Sequence, residues 1–268
     1  MKKLVSLLFI IPAFIACSTN AVTGRKQLSL FPESTLQAEA VTQYQSFLSE
    51  NKVVSSNTSK DAEMVKRVGS RIAAAITSYY KGQGKGAVLD GYKWEFNLVD
   101  NPEVNAWCMP GGKVVVYTGL LPVTQNEAAL AIVLGHEITH AVAGHGNERM
   151  SQAALAQGLE VAGNIFTSNN QKANSVFNGV FAPTAQVGFL LPNSRNQEYE
   201  ADHFGLIFAA MAGYNPREAV TFWQRMITAS ANGNKPPEFL SSHPADENRI
   251  AKIESYMPEA LKYYQPRK

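Results

Sequence analysis

The sequence is poor in cysteine, in histidine and in net charge. Its 268 residues include two cysteines and five histidines, and the formal net charge is +2. Such a balanced charge predicts no nucleic-acid partner and no strongly acidic one. The two cysteines are Cys17 and Cys108. If Cys17 is acylated, Cys108 has no partner for an internal disulfide, so stability must come from the core.

Long apolar runs are also missing. The run Leu4–Ile15 has twelve mostly apolar residues and follows Lys2 and Lys3. It is shorter than the about 20 residues that a membrane-spanning helix needs, and it is typical of a secretory signal. A small residue and then Cys17 follow directly, which resembles a bacterial lipoprotein signal with Cys17 as the acylated first residue. The alternative is ordinary signal cleavage beside an incidental cysteine.

The lipoprotein interpretation sets the expected domain organisation. We predict a signal peptide at residues 1–16, a lipidated linker at 17–33 and one domain at 34–268. The protein is then expected on the periplasmic side of the outer membrane, attached to the membrane through its lipid alone.

The main motif is His-Glu-Ile-Thr-His at residues 136–140, and the apolar residues around it recur at helical spacing. Residues four apart share one face of a helix, so His136 and His140 can bind one metal ion. Glu137 lies at the edge of that face, where it can act as a base on a water molecule. This is the zinc metallopeptidase arrangement, and it predicts one Zn²⁺ per chain.

A catalytic zinc ion held by two histidines needs a third protein ligand. The candidates are His145, His243 and Glu198. His145 falls one residue short of the position that the metzincin pattern requires. Glu198 is favoured because Asp202 lies four residues later: Glu198 can bind the ion while Asp202 accepts the second N–H of a metal-binding histidine. We expect Glu200, between them, to be solvated.

The remaining pattern predicts an α+β, mainly helical domain with about three short strands. Ser34 is the expected N-cap of the first helix. A mobile loop is expected at 167–186. The predicted helices lie at about 34–49, 61–80, 128–142, 148–165, 194–211, 216–231 and 247–256, and the strands at about 94–98, 105–108 and 113–117.

Two motifs together indicate a family. The HExxH motif at 136–140, followed by Ser-Arg-Asn-Gln-Glu-Tyr-Glu-Ala-Asp at 194–202, resembles the HtpX, BepA and LoiP family of zinc metallopeptidases, related to the CAAX prenyl proteases. The segment 20–28 is similar to the opening of the lipoprotein members. The resemblance implies a zincin (minigluzincin) fold with a small β-sheet over the HExxH helix. It also implies that Glu198 joins the two histidines as ligand, with Glu137 as base.

The resemblance implies three further roles. Asn105 and Ala106 match an edge strand that pairs with an extended peptide, although an ordinary core strand is equally compatible. His243 would steady the oxyanion or plug the zinc site as a fourth ligand, unless it only caps the next helix. Arg195 would pair with a site carboxylate or lie on the surface.

These observations predict a zinc-dependent endopeptidase of the bacterial cell envelope. It would bind extended or unfolded polypeptides and hydrolyse misfolded or unassembled envelope proteins. The rival interpretation is a periplasmic chaperone-like protein whose zinc site is inhibited by His243. The sequence does not distinguish the two roles of His243, which a substitution at that residue would separate.

Overall fold

The computed structural model describes residues 17–156, 194–232, 237–243 and 248–266. The predicted signal peptide at 1–16 and the predicted loop at 167–186 lie outside these ranges. So does the second half of the helix predicted at 148–165.

The described chain is mainly helical with two small sheets, which confirms the predicted α+β class. None of the described helices is both long and apolar enough to cross a membrane. The strands are β1 (Cys17–Thr19), β2 (Lys26–Leu28), β3 (Val53–Val54), β4 (Glu95–Val99), β5 (Ala106–Met109) and β6 (Lys113–Tyr117). The helices are α1 (Glu33–Glu50), α2 (Lys60–Gly82), α3 (Leu121–Thr124), α4 (Glu127–Val142), α5 (His145–Ala156), α6 (Arg195–Met211), α7 (Glu218–Asn232), α8 (Glu238–Ser242) and α9 (Arg249–Tyr263).

The larger sheet has the strand order β3-β4-β6-β5. Strands β4 and β6 are parallel, whereas β3 and β5 pair antiparallel with their neighbours. The three predicted strands are present, and the sheet has a fourth strand, β3, that the sequence pattern did not indicate. Strand β3 has two residues, which is too short for the alternation of apolar and polar residues that reveals a strand. Among the described residues β5 pairs only with β6, so it forms an edge of the sheet.

Helix α4 lies at the centre of the core. Asn126 caps its start by accepting a hydrogen bond from the backbone N–H of Ala129. All residues from Ala129 to Val142 are buried, as expected of a helix that is apolar on every side. The histidines and the glutamate of the HExxH motif are therefore enclosed by protein on all sides.

A pair of glycines allows α6 to approach α4 closely. A Cβ atom at Gly135 would lie 2.7 Å from the backbone oxygen of Gly205, which is too near for any side chain. Helix α6 starts with a capping box in which Ser194 accepts from the N–H of Gln197 and the Gln197 side chain accepts from the N–H of Ser194. The predicted start near 194 is thus confirmed, and it places Glu198 in the first turns of α6.

Two predicted helix ends are wrong. Helix α1 begins at Glu33 with Pro32 in the cap position, so Ser34 lies inside the first turn and does not cap the helix. Proline fixes φ near the value that helix entry requires, and this overrides the serine signal. Helix α9 passes Pro258 and continues to Tyr263, because its buried face extends through Met257 and Ala260.

The N-terminal strands β1 and β2 form an antiparallel hairpin that lies on the end of α4. The side-chain amides of Asn20 and Gln27 both donate to the backbone oxygen of Ala143, at 2.8 and 3.0 Å. The segment expected to be a linker therefore contains an ordered element, which we call the N-terminal hairpin (residues 17–28).

Candidate metal centre

Three side chains from α4 and α6 converge at one point. The Nε2 atoms of His136 and His140 lie 3.1 Å apart. A carboxylate oxygen of Glu198 lies 3.4 Å from Nε2 of His136, and its other oxygen lies 3.3 Å from Nε2 of His140. A tetrahedral zinc ion with bonds of about 2.0–2.1 Å keeps its ligand atoms about 3.3 Å apart. The spacing of the three side chains therefore fits a single ion.

The chemistry of the cluster also suits a cation. Burial lowers the pKa of His136, but Asp202 and Glu198 outweigh this effect and raise the pKa to about 9. Burial lowers the pKa of His140 well below its ordinary value. Two imidazoles and one carboxylate are a typical donor set for zinc.

Asp202 and Arg249 orient the ring of His136 through its Nδ1, the nitrogen that does not face the other ligands. Oδ1 of Asp202 lies 2.9 Å from Nδ1 of His136. Arg249 donates to both oxygens of Asp202, at 2.8 and 2.9 Å, and its Nη1 lies 2.8 Å from Oε2 of Glu198. The guanidinium of Arg249 stacks on the ring of Trp223 at 3.6 Å. Arg249 thus pairs with both carboxylates, whereas Arg195 is exposed at the start of α6.

Glu137 is the predicted general base. The residue is buried, and its Oε1 makes no hydrogen bond to any of the described residues. Nε2 of His243 lies 3.4 Å from this oxygen. Burial raises the pKa of the Glu137 carboxyl. A buried carboxylate with an unused oxygen beside three metal donors fits the role of a general base.

His243, at the end of α8, lies inside the cluster. Its Nδ1 is 3.0 Å from Oε1 of Glu198 and 3.2 Å from Nε2 of His136. The ring is buried and stacks on Phe239. One donor atom from each of the four residues lies within 4.8 Å of the others. The histidine is therefore placed where a fourth ligand or an oxyanion donor would stand.

Asn105 and Ala106 lie where β5 begins at the sheet edge. Both are buried, and the side chain of Asn105 accepts from the N–H of Ala106. Strand β5 packs against α4. Cys108 on the same strand is half-buried, and burial raises the pKa of its thiol well above the ordinary value. Peptide binding at this edge stays a prediction, and so does acylation of Cys17 in β1.

Glu200 is not solvated, and this expectation was wrong. Its Oε2 lies 2.9 Å from Nε2 of His145, and its Oε1 lies 2.6 Å from Nε of Arg25. Nδ1 of His145 lies 2.8 Å from Nδ1 of His140. Sequence spacing shows that Glu200 points away from Glu198, but not that a histidine and an arginine from other elements meet it there.

Comparison with known proteins identifies the family. The chain matches the profile of peptidase family M48 over residues 59–257. This chain belongs to peptidase family M48. It is 38% identical over 173 residues to the mitochondrial metalloendopeptidase OMA1 of Schizosaccharomyces pombe, covering 64% of this chain and 49% of the relative. The mitochondrial metalloendopeptidase OMA1 of Homo sapiens is 30% identical over 264 residues, which cover 96% of this chain and 49% of the relative.

A bacterial relative is less similar in sequence. The β-barrel assembly-enhancing protease of Escherichia coli is 29% identical over 163 residues, covering 59% of this chain and 33% of the relative. The chain thus spans about half the length of the OMA1 relatives and a third of the bacterial one. Membership in M48 confirms the predicted metallopeptidase class and its zincin-like fold.

The predicted location is wrong. We expected a lipid-anchored protein on the periplasmic side of a bacterial outer membrane. The OMA1 relatives from fission yeast, budding yeast, cattle and Arabidopsis thaliana are mitochondrial by name. A basic start followed by a short apolar run describes a class of targeting segments and does not by itself specify the compartment.

Proposed function

We propose that this M48 chain is a zinc-dependent endopeptidase that hydrolyses peptide bonds of misfolded or unassembled proteins. The observation that supports it most strongly is the meeting of His136, His140 and Glu198 at separations suited to one Zn²⁺. Their three donors leave one position of a tetrahedral ion for the reaction. The proposal therefore includes one zinc ion per chain.

The residues of the chain divide the chemistry between them. When bound, the ion would polarise the scissile carbonyl and favour the ionisation of water near neutral pH. Glu137, whose Oε1 accepts no hydrogen bond from the described residues, takes the proton of the attacking water and returns it to the leaving amine. Asp202 and Arg249 keep His136 in the orientation that points Nε2 toward Glu198.

The sheet edge supports extended polypeptide as the substrate. Strand β5 has one neighbour among the described strands and packs against the helix that carries the HExxH motif. An extended peptide can add to such an edge through main-chain hydrogen bonds, with little dependence on its side chains. Folded proteins rarely offer a free extended segment, so unfolded and unassembled chains are the expected substrates.

The position of His243 favours a second candidate function. A histidine that occupies the fourth position would block it, and the chain would then act as a chaperone-like binding protein with a self-inhibited site. The contact of 3.0 Å between Nδ1 of His243 and Glu198 supports this alternative. The same position also suits a hydrogen-bond donor to the developing oxyanion.

Glu137→Gln tests the peptidase proposal. The variant should retain zinc, because no metal donor is changed, and should lose cleavage of unfolded casein by about 10²-fold or more. Glu254→Gln is the matched control, since Glu254 is exposed on α9 and should cleave like the wild type. Undiminished casein cleavage by zinc-loaded Glu137→Gln would refute the assignment.

His243→Ala separates the two candidates. If His243 blocks the site, the variant should cleave casein faster than the wild type. If His243 donates to the oxyanion, cleavage should fall while zinc content stays the same. His203→Ala is the control, because His203 pairs with Glu259 at the surface, away from the cluster.

A further inference from the structure

We propose that Arg25, Glu200 and His145 form a positioning chain that holds the metal ligand His140 in place from the N-terminal hairpin. The inference rests on the proposed function, because it takes His140 as a ligand of the ion. It assigns a role to the hairpin, which the peptidase chemistry itself does not use. It also predicts that docking of the hairpin and retention of zinc depend on each other.

The chain of contacts is continuous over four side chains from four elements. His140 on α4 meets His145 at the start of α5, with their Nδ1 atoms 2.8 Å apart. Nε2 of His145 lies 2.9 Å from Oε2 of Glu200 on α6. Nε of Arg25 donates to the other oxygen of Glu200 at 2.6 Å. His145 has no exposed surface, so water does not compete for the two contacts of its ring.

Metal binding fixes the direction of every hydrogen bond in the positioning chain. An imidazole that binds an ion through Nε2 carries its proton on Nδ1, so His140 must donate to Nδ1 of His145. His145 then carries its own proton on Nε2 and donates to Glu200, which is an acceptor. One tautomer of each histidine satisfies all contacts. A negative carboxylate at the end of such a chain makes the metal-binding imidazole a better ligand and fixes its ring.

The two histidine ligands are thus supported in parallel ways. His136 donates directly to Asp202, whose charge is balanced by Arg249. His140 reaches Glu200 through His145, and the charge of Glu200 is balanced by Arg25. In both cases an imidazole is hydrogen-bonded to a carboxylate, and the carboxylate is hydrogen-bonded to an arginine. The second case needs the inserted histidine because Glu200 and Glu198 point to different sides of α6.

Arg25 is held rigidly enough to play this part. It forms two parallel hydrogen bonds of 2.7 Å to the carboxylate of Glu148 on α5, besides its bond to Glu200 on α6. Gln197 donates to the same carboxylate of Glu148 at 2.7 Å. The hairpin that carries Arg25 is fixed to the end of α4 through Asn20 and Gln27. Arg25 therefore joins the two helices that flank the HExxH helix.

Zinc titration against a competing chelator measures the predicted effect. The full chain is stripped of metal, and its dissociation constant for Zn²⁺ is measured for the wild type, Arg25→Ala, Glu200→Gln and His145→Leu. Each substitution should weaken zinc binding by about 10–100-fold, the usual effect of losing such support. Combining Arg25→Ala with Glu200→Gln should add little to the larger single effect, because both break the same chain.

Matched controls and rescue separate positioning from general stability. Lys26→Ala removes a neighbouring hairpin contact, to Thr19, and His203→Leu removes a surface histidine–glutamate pair; both should bind zinc like the wild type. His145→Gln can accept and donate as His145 does, so it should recover much of the affinity lost in His145→Leu. If Arg25→Ala or His145→Leu fails to fold, the nearly isosteric Glu200→Gln decides the matter.

A second readout follows from reciprocity between the two sites. Zn²⁺ should slow amide hydrogen exchange in residues 26–28 of the wild type and have a smaller effect in Glu200→Gln. The proposal is overturned if folded Glu200→Gln binds zinc within about twofold of the wild type, even where its metal-free form melts at a lower temperature. A wild type that binds no zinc contradicts the proposed function instead.

Discussion

Oδ1 of Asp202 lies 2.9 Å from Nδ1 of His136, and this contact decides which ring nitrogen faces the cluster. Because a carboxylate accepts hydrogen bonds, Nδ1 of His136 carries the proton and Nε2 is left to bind a cation. The contact joins the central helix α4 to α6, the helix that supplies Glu198. It therefore links the position of one ligand to the orientation of another.

Asp202→Asn tests this orienting contact. The amide has nearly the same shape, but its charge is lost and it no longer balances Arg249. We expect zinc affinity to fall by about 10–100-fold, the range seen when such partners are replaced. Competition with a chelator measures it. Asp90→Asn, at an exposed position, is the control, and equal affinities for the two variants would contradict the predicted role.

Gly205→Ala tests the close approach of α6 to α4. A Cβ atom there would lie 2.8 Å from the backbone nitrogen of His136, and the backbone cannot move aside as a flexible side chain can. Urea unfolding of the metal-free chain should show a loss of about 1–3 kcal/mol in the free energy of unfolding. Gly82→Ala, with open space around the added Cβ, should instead gain about 0.4–1 kcal/mol. A stable Gly205→Ala would show that the helices are farther apart.

Arg249→Met tests the buried arginine. Arg249 is 1% exposed and binds Asp202 and Glu198 while it stacks on Trp223. Its removal leaves two buried carboxylates without their arginine, which should cost about 3–5 kcal/mol in the free energy of unfolding. Arg217→Met, on the surface, should change the same quantity by less than about 0.5 kcal/mol. Similar losses in the two variants would show that Arg249 does not stabilise the carboxylates.

The ion pair of Arg25 and Glu148 predicts that the free energy of unfolding depends on pH in the acid range. Burial raises the pKa of the Glu148 carboxyl, but hydrogen bonds from Arg25 and Gln197 outweigh it and hold the pKa below the ordinary 4.5. A carboxyl whose pKa is lowered by folding stabilises the protein above pH 4.5 and loses that contribution as the pH falls below it. Metal-free Glu148→Gln should therefore lose less stability between pH 6 and pH 4 than the wild type does. Parallel losses in guanidinium unfolding would contradict this.

Most residues of the candidate metal site could be predicted from their spacing in the sequence. His136 and His140, and likewise Glu198 and Asp202, are four residues apart on single helices, so their shared faces follow from helix geometry alone. The start of α6 could also be predicted from the sequence, because Ser194 and Gln197 form a capping box within four residues. In each case the cause lies inside one helical turn or two.

Other residues that contact the metal ligands could not be predicted from sequence spacing. Arg25, His145 and Glu200 lie on three separate elements, and only the packing of α5 and α6 around α4 brings them together. The same holds for Arg249, which reaches Asp202 and Glu198 from α9, far along the sequence from both. Strand β3 was missed for another reason, since two residues carry no periodicity.

Zinc content tests whether α6 supplies the third ligand to an ion that is also bound by the two histidines of α4. Purified wild type should contain one zinc ion per chain by elemental analysis, and Glu198→Ala should contain little or none after dialysis against a weak chelator. Glu254→Ala, exposed on α9, should retain the full content. If Glu198→Ala retained one zinc ion per chain with unchanged affinity, Glu198 would not be a ligand of the ion.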